Sequence, residues 1–167
     1  KNSNDTMTKE KKLEKAKVEY KKAAEAYEEA KDSGSKEAIN KTKEEYNKAL
    51  NNLKDVAGYS DISLKYQEDC KHILRNPNLV LTVLKLADKV NADTASISGA
   101  DRTEEEQQEL IDLERTDTLY KNCAHGSEKG YIAADVKYFK DGKQLSRIEV
   151  AKSAGQIQEI GGIGVYN

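Results

Sequence analysis

Three things are scarce in this chain, and each scarcity excludes something. Net charge is the first: 28 Lys and Arg stand against 30 Asp and Glu, a formal balance of -2 with a pI near 5.9. No cationic field is present to draw in a phosphate backbone, and no stretch interleaves arginine with aromatic rings, so nucleic acid is not an expected partner. Long apolar runs are the second. None reaches the roughly 20 residues that span a bilayer, and the best candidate, NLVLTVLKLADKV, is broken by Lys85 and Asp88. No transmembrane segment is expected. The third is side chains for metals and nucleophilic chemistry: the 167 residues include two cysteines and two histidines. All four fall in C-x-H tripeptides, Cys70 with His72 and Cys123 with His125.

Helical residues two apart point about 200° from each other, so an inward Cys70 on a helix turns His72 outward and the two cannot share an ion. Neither C-x₂-C nor H-x₃₋₅-H spacing occurs, and those are the spacings that let two ligands reach one zinc. No metal, cofactor or catalytic residue is expected, and zinc is expected to be absent from the purified protein. A cysteine nucleophile needs a base and an orienting group, and no nucleophile-bearing turn is recognisable. A Cys70–Cys123 disulfide fits better; closing so long a loop would stabilise the fold by about 4 kcal/mol in the chain-entropy model. It implies an oxidising compartment and leaves both histidines as solvent-facing bystanders.

What the chain has in quantity is helix-forming, mixed-charge surface, with 35% charged residues and lysine and glutamate interspersed. Up to Val56 the apolar residues follow heptads: Leu13, Tyr20 and Tyr27, with Ala16, Ala23 and Ala30 three residues after each, then Ile39, Tyr46 and Leu53, followed in the same way by Thr42, Ala49 and Val56. Between the two series lies DSGS, where Gly34 is expected to end one helix in the left-handed conformation and Ser35 to cap the next, with Glu37 in its first turn. Folded antiparallel about that turn, Ala30 meets Ile39, Tyr27 meets Thr42, Ala23 meets Tyr46, Tyr20 meets Ala49, Ala16 meets Leu53 and Leu13 meets Val56. Bulky side chains then mostly oppose small ones, which fills a two-helix seam. The segments KAKVEYKKA and KTKEEYNKA have the look of a duplication. At helical spacing opposite alanine, the tyrosines read as core rather than as a ring-binding stripe. The base of the hairpin is expected to lean on the rest of the chain and its tip to project.

After Gly58 the pattern becomes that of a compact domain. Ile62, Tyr66, Cys70 and Ile73 suggest one face of a helix from Ser60; Asn76-Pro77 caps and opens the next, most apolar helix through Val90. Residues 91–102 read as a loop. Thr103 and Glu106 form a capping box for an acidic helix with Leu110, Leu113 and Tyr120 inward. YIAADVKYF and LSRIEVA flank KDG, a three-residue hairpin loop with Gly142 left-handed, pairing Ile132 with Val150, Ala134 with Ile148 and Asp135 with Arg147. The tail offers a third strand through Val165. GGIG lacks the lysine and hydroxyl residue of a phosphate loop, and DRTEEEQQELIDLE lacks a calcium loop.

The expected fold is α+β and mainly α, with an N-terminal antiparallel αα-hairpin (1–57, coiled-coil-like, behind a polar tether) joined to a small helical domain with a C-terminal β-hairpin (58–167). The favoured function is a non-enzymatic protein-interaction module of an exported, envelope or surface-anchored protein, the hairpin serving as spacer or contact arm. The polar run KNSNDT resembles the tether behind a removed signal peptide, with a lipid anchor before Lys1 as one option and a trimmed boundary as the other; the triplets at Asn4 and Asn40 fit glycosylation sequons. The alternative, from another class, is a small thiol- or metal-dependent enzyme using the Cys/His pairs.

Overall fold

The computed structural model describes residues 3–164. The chain is α+β with helix predominating, and it divides into two compact units, 1–61 and 62–167.

The first unit is the helical hairpin: α1 spans Ser3–Ser33 and α2 spans Lys36–Ala57. Ser35 caps α2, its side chain accepting from the amide of Ala38 at 3.2 Å, and Glu37 sits in the positive first turn. Gly34 departs from expectation, because its φ is not left-handed. Its amide donates to the Ala30 carbonyl at 2.7 Å, and a β-carbon there would lie 2.5 Å from that same oxygen. Close approach, not chirality, calls for glycine.

Tyr46 sits between Tyr20 and Tyr27, with ring centroids 5.6 and 5.7 Å away and tilted planes. That is the level of Ala23, as the antiparallel pairing requires. Tilted aromatic pairs contribute about 0.5–1.5 kcal/mol beyond the area they bury. Ala16, Tyr20, Tyr46 and Leu53 are buried, while Tyr27 and Ala23 are half-buried. Two expectations need correction. Val56 is exposed, and Leu50, outside the heptad series, is buried. Besides the small residue at its own level, Tyr46 meets a ring from the layer on either side.

In the second unit β1 (Ser63–Tyr66), α3 (Pro77–Lys89) and β2 (Thr94–Gly99) form a crossover between parallel strands. Then come α4 (Glu104–Asp112), two short 3₁₀ turns, β3 (Asp135–Lys140), β4 (Lys143–Gln144) and α5 (Arg147–Ala154). The sheet order is β1-β2-β3-β4, antiparallel after the first pair. Asn76 caps α3 with Pro77 in its first turn, as read from the sequence, and α3 buries Val80, Val83, Leu84, Leu86 and Ala87. Against β3, Ala95 pairs with Tyr138, whose buried hydroxyl donates to the carbonyl of Val83 at 3.0 Å. Burial pushes that phenol's pKa up, which keeps it a donor.

Several expectations for this unit are overturned. No helix starts at Ser60: residues 63–66 alternate exposed and half-buried with period 2, which makes a strand. The supposed loop 91–102 contains β2, the strand between β1 and β3, whose small residues Thr94, Ala95, Ser96 and Ser98 hide its alternation. The capping box of Thr103 and Glu106 is present, but α4 ends at Asp112, and Leu113 is 65% exposed. The β-hairpin exists in another register, with Lys140 opposite Lys143 and Phe139 opposite Gln144. Its loop is two residues, Asp141 and Gly142, both left-handed, the turn that matches strand twist. Residues 147–154 then form α5 instead of a strand, since Ser146 caps it and accepts from the amide of Glu149. Asp135 therefore does not face Arg147. No further strand follows among the described residues, and Val165 lies outside them.

The seam gives a direct test. Tyr46→Ala removes both ring contacts and should cost about 3–5 kcal/mol, whereas Lys48→Ala, on an exposed position, should stay within about 0.5 kcal/mol. Thermal melts showing equal losses would refute the seam.

Candidate functional site

The parallel pair β1 and β2 ends at Tyr66 and Gly99, and the segments leaving those carboxyl ends carry most of the second unit's buried polar chemistry. They leave from one edge of the sheet, as the parallel β1-α3-β2 crossover requires. From the β1 side come Cys70, His72 and Arg75. Ala100, Asp101 and Arg102 follow β2; Glu106 and Gln107 lie on α4; His125, Tyr131 and Asp135 come from the stretch leading into β3.

Both histidines are inward, which corrects the bystander reading; each side chain is 15% exposed and faces a carboxylate. His72 Nε2 lies 2.6 Å from Glu106 Oε1, and that carboxylate also accepts the Thr103 amide in the capping box. Burial opposes ionisation of Glu106, but the Thr103 hydrogen bonds and the charge of His72 outweigh it and hold the carboxyl below its usual range.

His125 is fixed differently. Its Nδ1 lies 2.8 Å from the carbonyl of Ala100. A carbonyl can only accept, so Nδ1 carries the proton. In the neutral ring Nε2 is then a bare lone pair, and it faces Asp135 Oδ2 at 3.8 Å. Burial lowers the pKa of His125, opposed by the charge of Asp135 and the Ala100 bond and assisted by the charge of Arg102. Asp135 reaches this place because the β2–β3 ladder slips between Ile97 and Gly99, leaving Asp135 opposite Gly99. Bulges of this kind re-aim side chains. The Asp135 carboxylate occupies the space that a β-carbon on residue 99 would take.

Around this pair the polar groups are held. Arg102 donates its amide to the His125 carbonyl at 2.9 Å and its Nη1 to Gln107 Oε1 at 2.8 Å. Gln107 is fully buried and donates Nε2 to the carbonyl of Thr118 at 2.6 Å. Asp101, also buried, takes the amide of Arg75 and pairs with its Nε, both at 3.2 Å. The Arg75 guanidinium in turn lies 4.7 Å over the ring of Tyr131.

The cysteines do not form the expected bridge: both are thiols, with no disulfide between them. Cys70 donates to the carbonyl of His72 at 3.4 Å, and buried Cys123 donates to Gln107 Oε1 at 3.4 Å. The step from a disulfide to an oxidising compartment thereby loses its footing. Nor are Cys70 and His72 on a helix, so their opposed directions no longer bear on metal binding. Among the described residues no group of three or more His, Cys, Asp and Glu is arranged to hold a metal ion; what converges are two pairs, His72 with Glu106 and His125 with Asp135. No described helix is long and apolar enough to cross a membrane. No family model, curated protein or solved structure matches the chain.

Sequence reasoning found the histidines but missed Asp135, Asp101, Arg75, Gln107 and Tyr131. Each joins the site through a contact between residues far apart in sequence, or through burial that no local pattern announces.

Two outcomes follow. Thiol titration of the unfolded chain should count two thiols, and a reductant should leave the melting temperature unchanged; a lowered melting point would restore the bridge. For Glu106, whose pKa is depressed in the fold from an ordinary 4.5, the linked stability is present above that value and is lost as pH falls through the folded pKa. The acid limb of the melting temperature should therefore be shallower in Glu106→Gln than in the parent chain.

Proposed function

We propose that the second unit is a divalent-cation-dependent hydrolytic domain in which His125 Nε2 and the Asp135 carboxylate supply two ligands to one ion. The observation that carries this reading is the bond from His125 Nδ1 to the Ala100 carbonyl, because in the neutral ring it leaves Nε2 facing Asp135 as an acceptor facing an acceptor. Two such groups repel unless a proton or a metal cation lies between them. Their 3.8 Å separation is within the span of two ligands about 2.0–2.2 Å from a common ion. A histidine ligand whose other nitrogen donates to a backbone carbonyl is also the usual outer-shell arrangement of metal sites.

Two protein ligands leave positions for water and substrate. An ion held by His125 and Asp135 would supply a bound water of lowered pKa and a Lewis acid for a carbonyl or phosphoryl oxygen. The chain's own part is to fix the ligands and to set a cation, Arg102, beside them, where it would oppose negative charge developing on a substrate. This departs from the metal-free, non-enzymatic expectation drawn from spacing, and takes up its metal-dependent alternative with a different ligand pair. For the hairpin the spacer or contact-arm role is retained as part of the proposal, since its mixed-charge outer faces contain no comparable cluster among the described residues.

The test is a calorimetric titration with Zn²⁺ and Co²⁺ of the full chain after chelator treatment. One ion per chain is expected, with His125→Ala and Asp135→Asn each losing more than the ~10–100-fold that outer-shell partners command. Gly99→Ala should weaken binding as well, by displacing the Asp135 carboxylate, while Cys70→Ser should leave it unchanged. Binding that survives both ligand substitutions, or no binding by the parent chain, would sink the proposal.

A further inference from the structure

Tyr131 is the residue at the site for which the fold accepts strain. Its φ is 54°, a left-handed backbone conformation that is a genuine outlier for a bulky side chain and a source of backbone strain. It follows Gly130, which is left-handed too. The turn is tied down on its own side: Tyr131 donates its amide to Gly126 at 3.0 Å and Ile132 to Ala124 at 2.8 Å. Its phenol shares Ser127 with Tyr120. From the β1 side, Asn76 donates to the carbonyl of Gly130 at 3.3 Å and Arg75 stacks on the ring at 4.7 Å. The stretch so clamped runs between His125 and Asp135.

We infer that Tyr131, through its stack with Arg75, is a positioning residue that holds His125 in the orientation and tautomer required by the proposed ion site. The coupling is short. Arg75 is held by Asp101, and the next residue back, Ala100, is the acceptor for His125 Nδ1. Tyr131, Arg75, Asp101, Ala100 and His125 thus close a ring in which the turn carrying His125 and the segment accepting its proton are braced against one guanidinium. Asp101 accepts the Arg75 amide and places its carboxylate 3.2 Å from the guanidinium Nε as an ion pair, which keeps the planar cation over the aromatic face. Strain at Tyr131 is what such a brace can hold, and it fits a role in setting geometry rather than in adding stability.

The inference rests on the ion-site reading for its purpose but not for its test. In histidine-labelled full-length chain without metal, long-range nitrogen NMR reports the tautomer of His125, assigned by its loss in His125→Gln. The parent should show the Nδ1-protonated form. Tyr131→Ala should shift His125 toward a mixture and leave His72 unmoved, while Tyr131→Phe, which keeps the stack, should match the parent. Tyr131→Gly accepts the left-handed backbone without strain, so it should melt higher than the alanine variant yet show the same His125 shift. If Tyr131→Ala fails to fold, Arg75→Lys, which keeps the charge and loses the planar stack, is read in its place. Zinc affinity should fall about 10-fold in Tyr131→Ala. Unaltered His125 signals in the alanine and glycine variants, with only the melting point lowered, would overturn the inference even where zinc binds. A tautomer shift in a chain that binds no zinc would uphold it while removing the ion-site reading.

Discussion

The candidate site depends on one hydrogen bond, from the ring of His125 to the carbonyl of Ala100. It is possible because β2 ends at Gly99, so that the next carbonyl is released from the ladder and can accept a side chain. It decides the tautomer, and the tautomer decides what His125 presents to Asp135. The neighbouring bond, from the Arg102 amide to the His125 carbonyl, locks the same two segments from the other direction. Between them, three consecutive residues after β2 meet a histidine ring, a guanidinium held by Asp101, and a histidine backbone.

The crossover β1-α3-β2 explains why the chemistry gathers at one edge. Parallel strands joined through a helix end at the same side of the sheet, and whatever follows them must leave from there. Residues 67–76 and 100–103 do so, and the stretch 123–135 returns across them before entering β3 antiparallel to β2. At the far side of the unit the strands are pinned by structural devices instead. Asp93 accepts the Asp141 amide and the Thr94 hydroxyl, which fixes the β-hairpin turn. The amide of Asp141 is the first cause of the depressed pKa of Asp93.

Legibility follows the range of the interactions. The hairpin could be read because its seam is repetitive: Tyr20, Tyr27 and Tyr46 recur on the heptad and their partners follow from one turn. Helix starts at Asn76-Pro77 and Thr103-x-x-Glu106 could be read because capping is chemistry within four residues. Ser146-Arg-Ile-Glu149 carried the same signal and was outweighed by the apolar spacing of Ile148 and Val150, an error of period. Strand β2 was hidden by its composition, since Thr, Ala and Ser suit a loop as well as a strand covered by neighbours. Glu106 apart, the pairings within the site had no local signature. His125 and Asp135 are joined by a bulge, His72 and Glu106 by a contact between separate elements, and the C-x-H repetition that drew notice brings neither pair together.

A buried ion pair is poor grounds for stability, because desolvation offsets much of the attraction and well-packed apolar residues often do as well or better. Arg75 and Asp101 form such a pair beside a strained tyrosine and near a fully buried glutamine. Taken as stabilising contacts these features make little sense together. The apolar burial of α3 against β2 and Tyr138 supplies the cohesion of the unit, at roughly 25 cal/mol for each Å² removed from water, and the polar edge draws on it. What the polar edge gains is directional: Asp101 holds the Arg75 amide and pairs with its guanidinium, Gln107 accepts from Arg102, and Ala100 fixes a ring nitrogen. Groups oriented at such cost, on a rigid sheet edge, have the properties of a site organised before its ligand arrives.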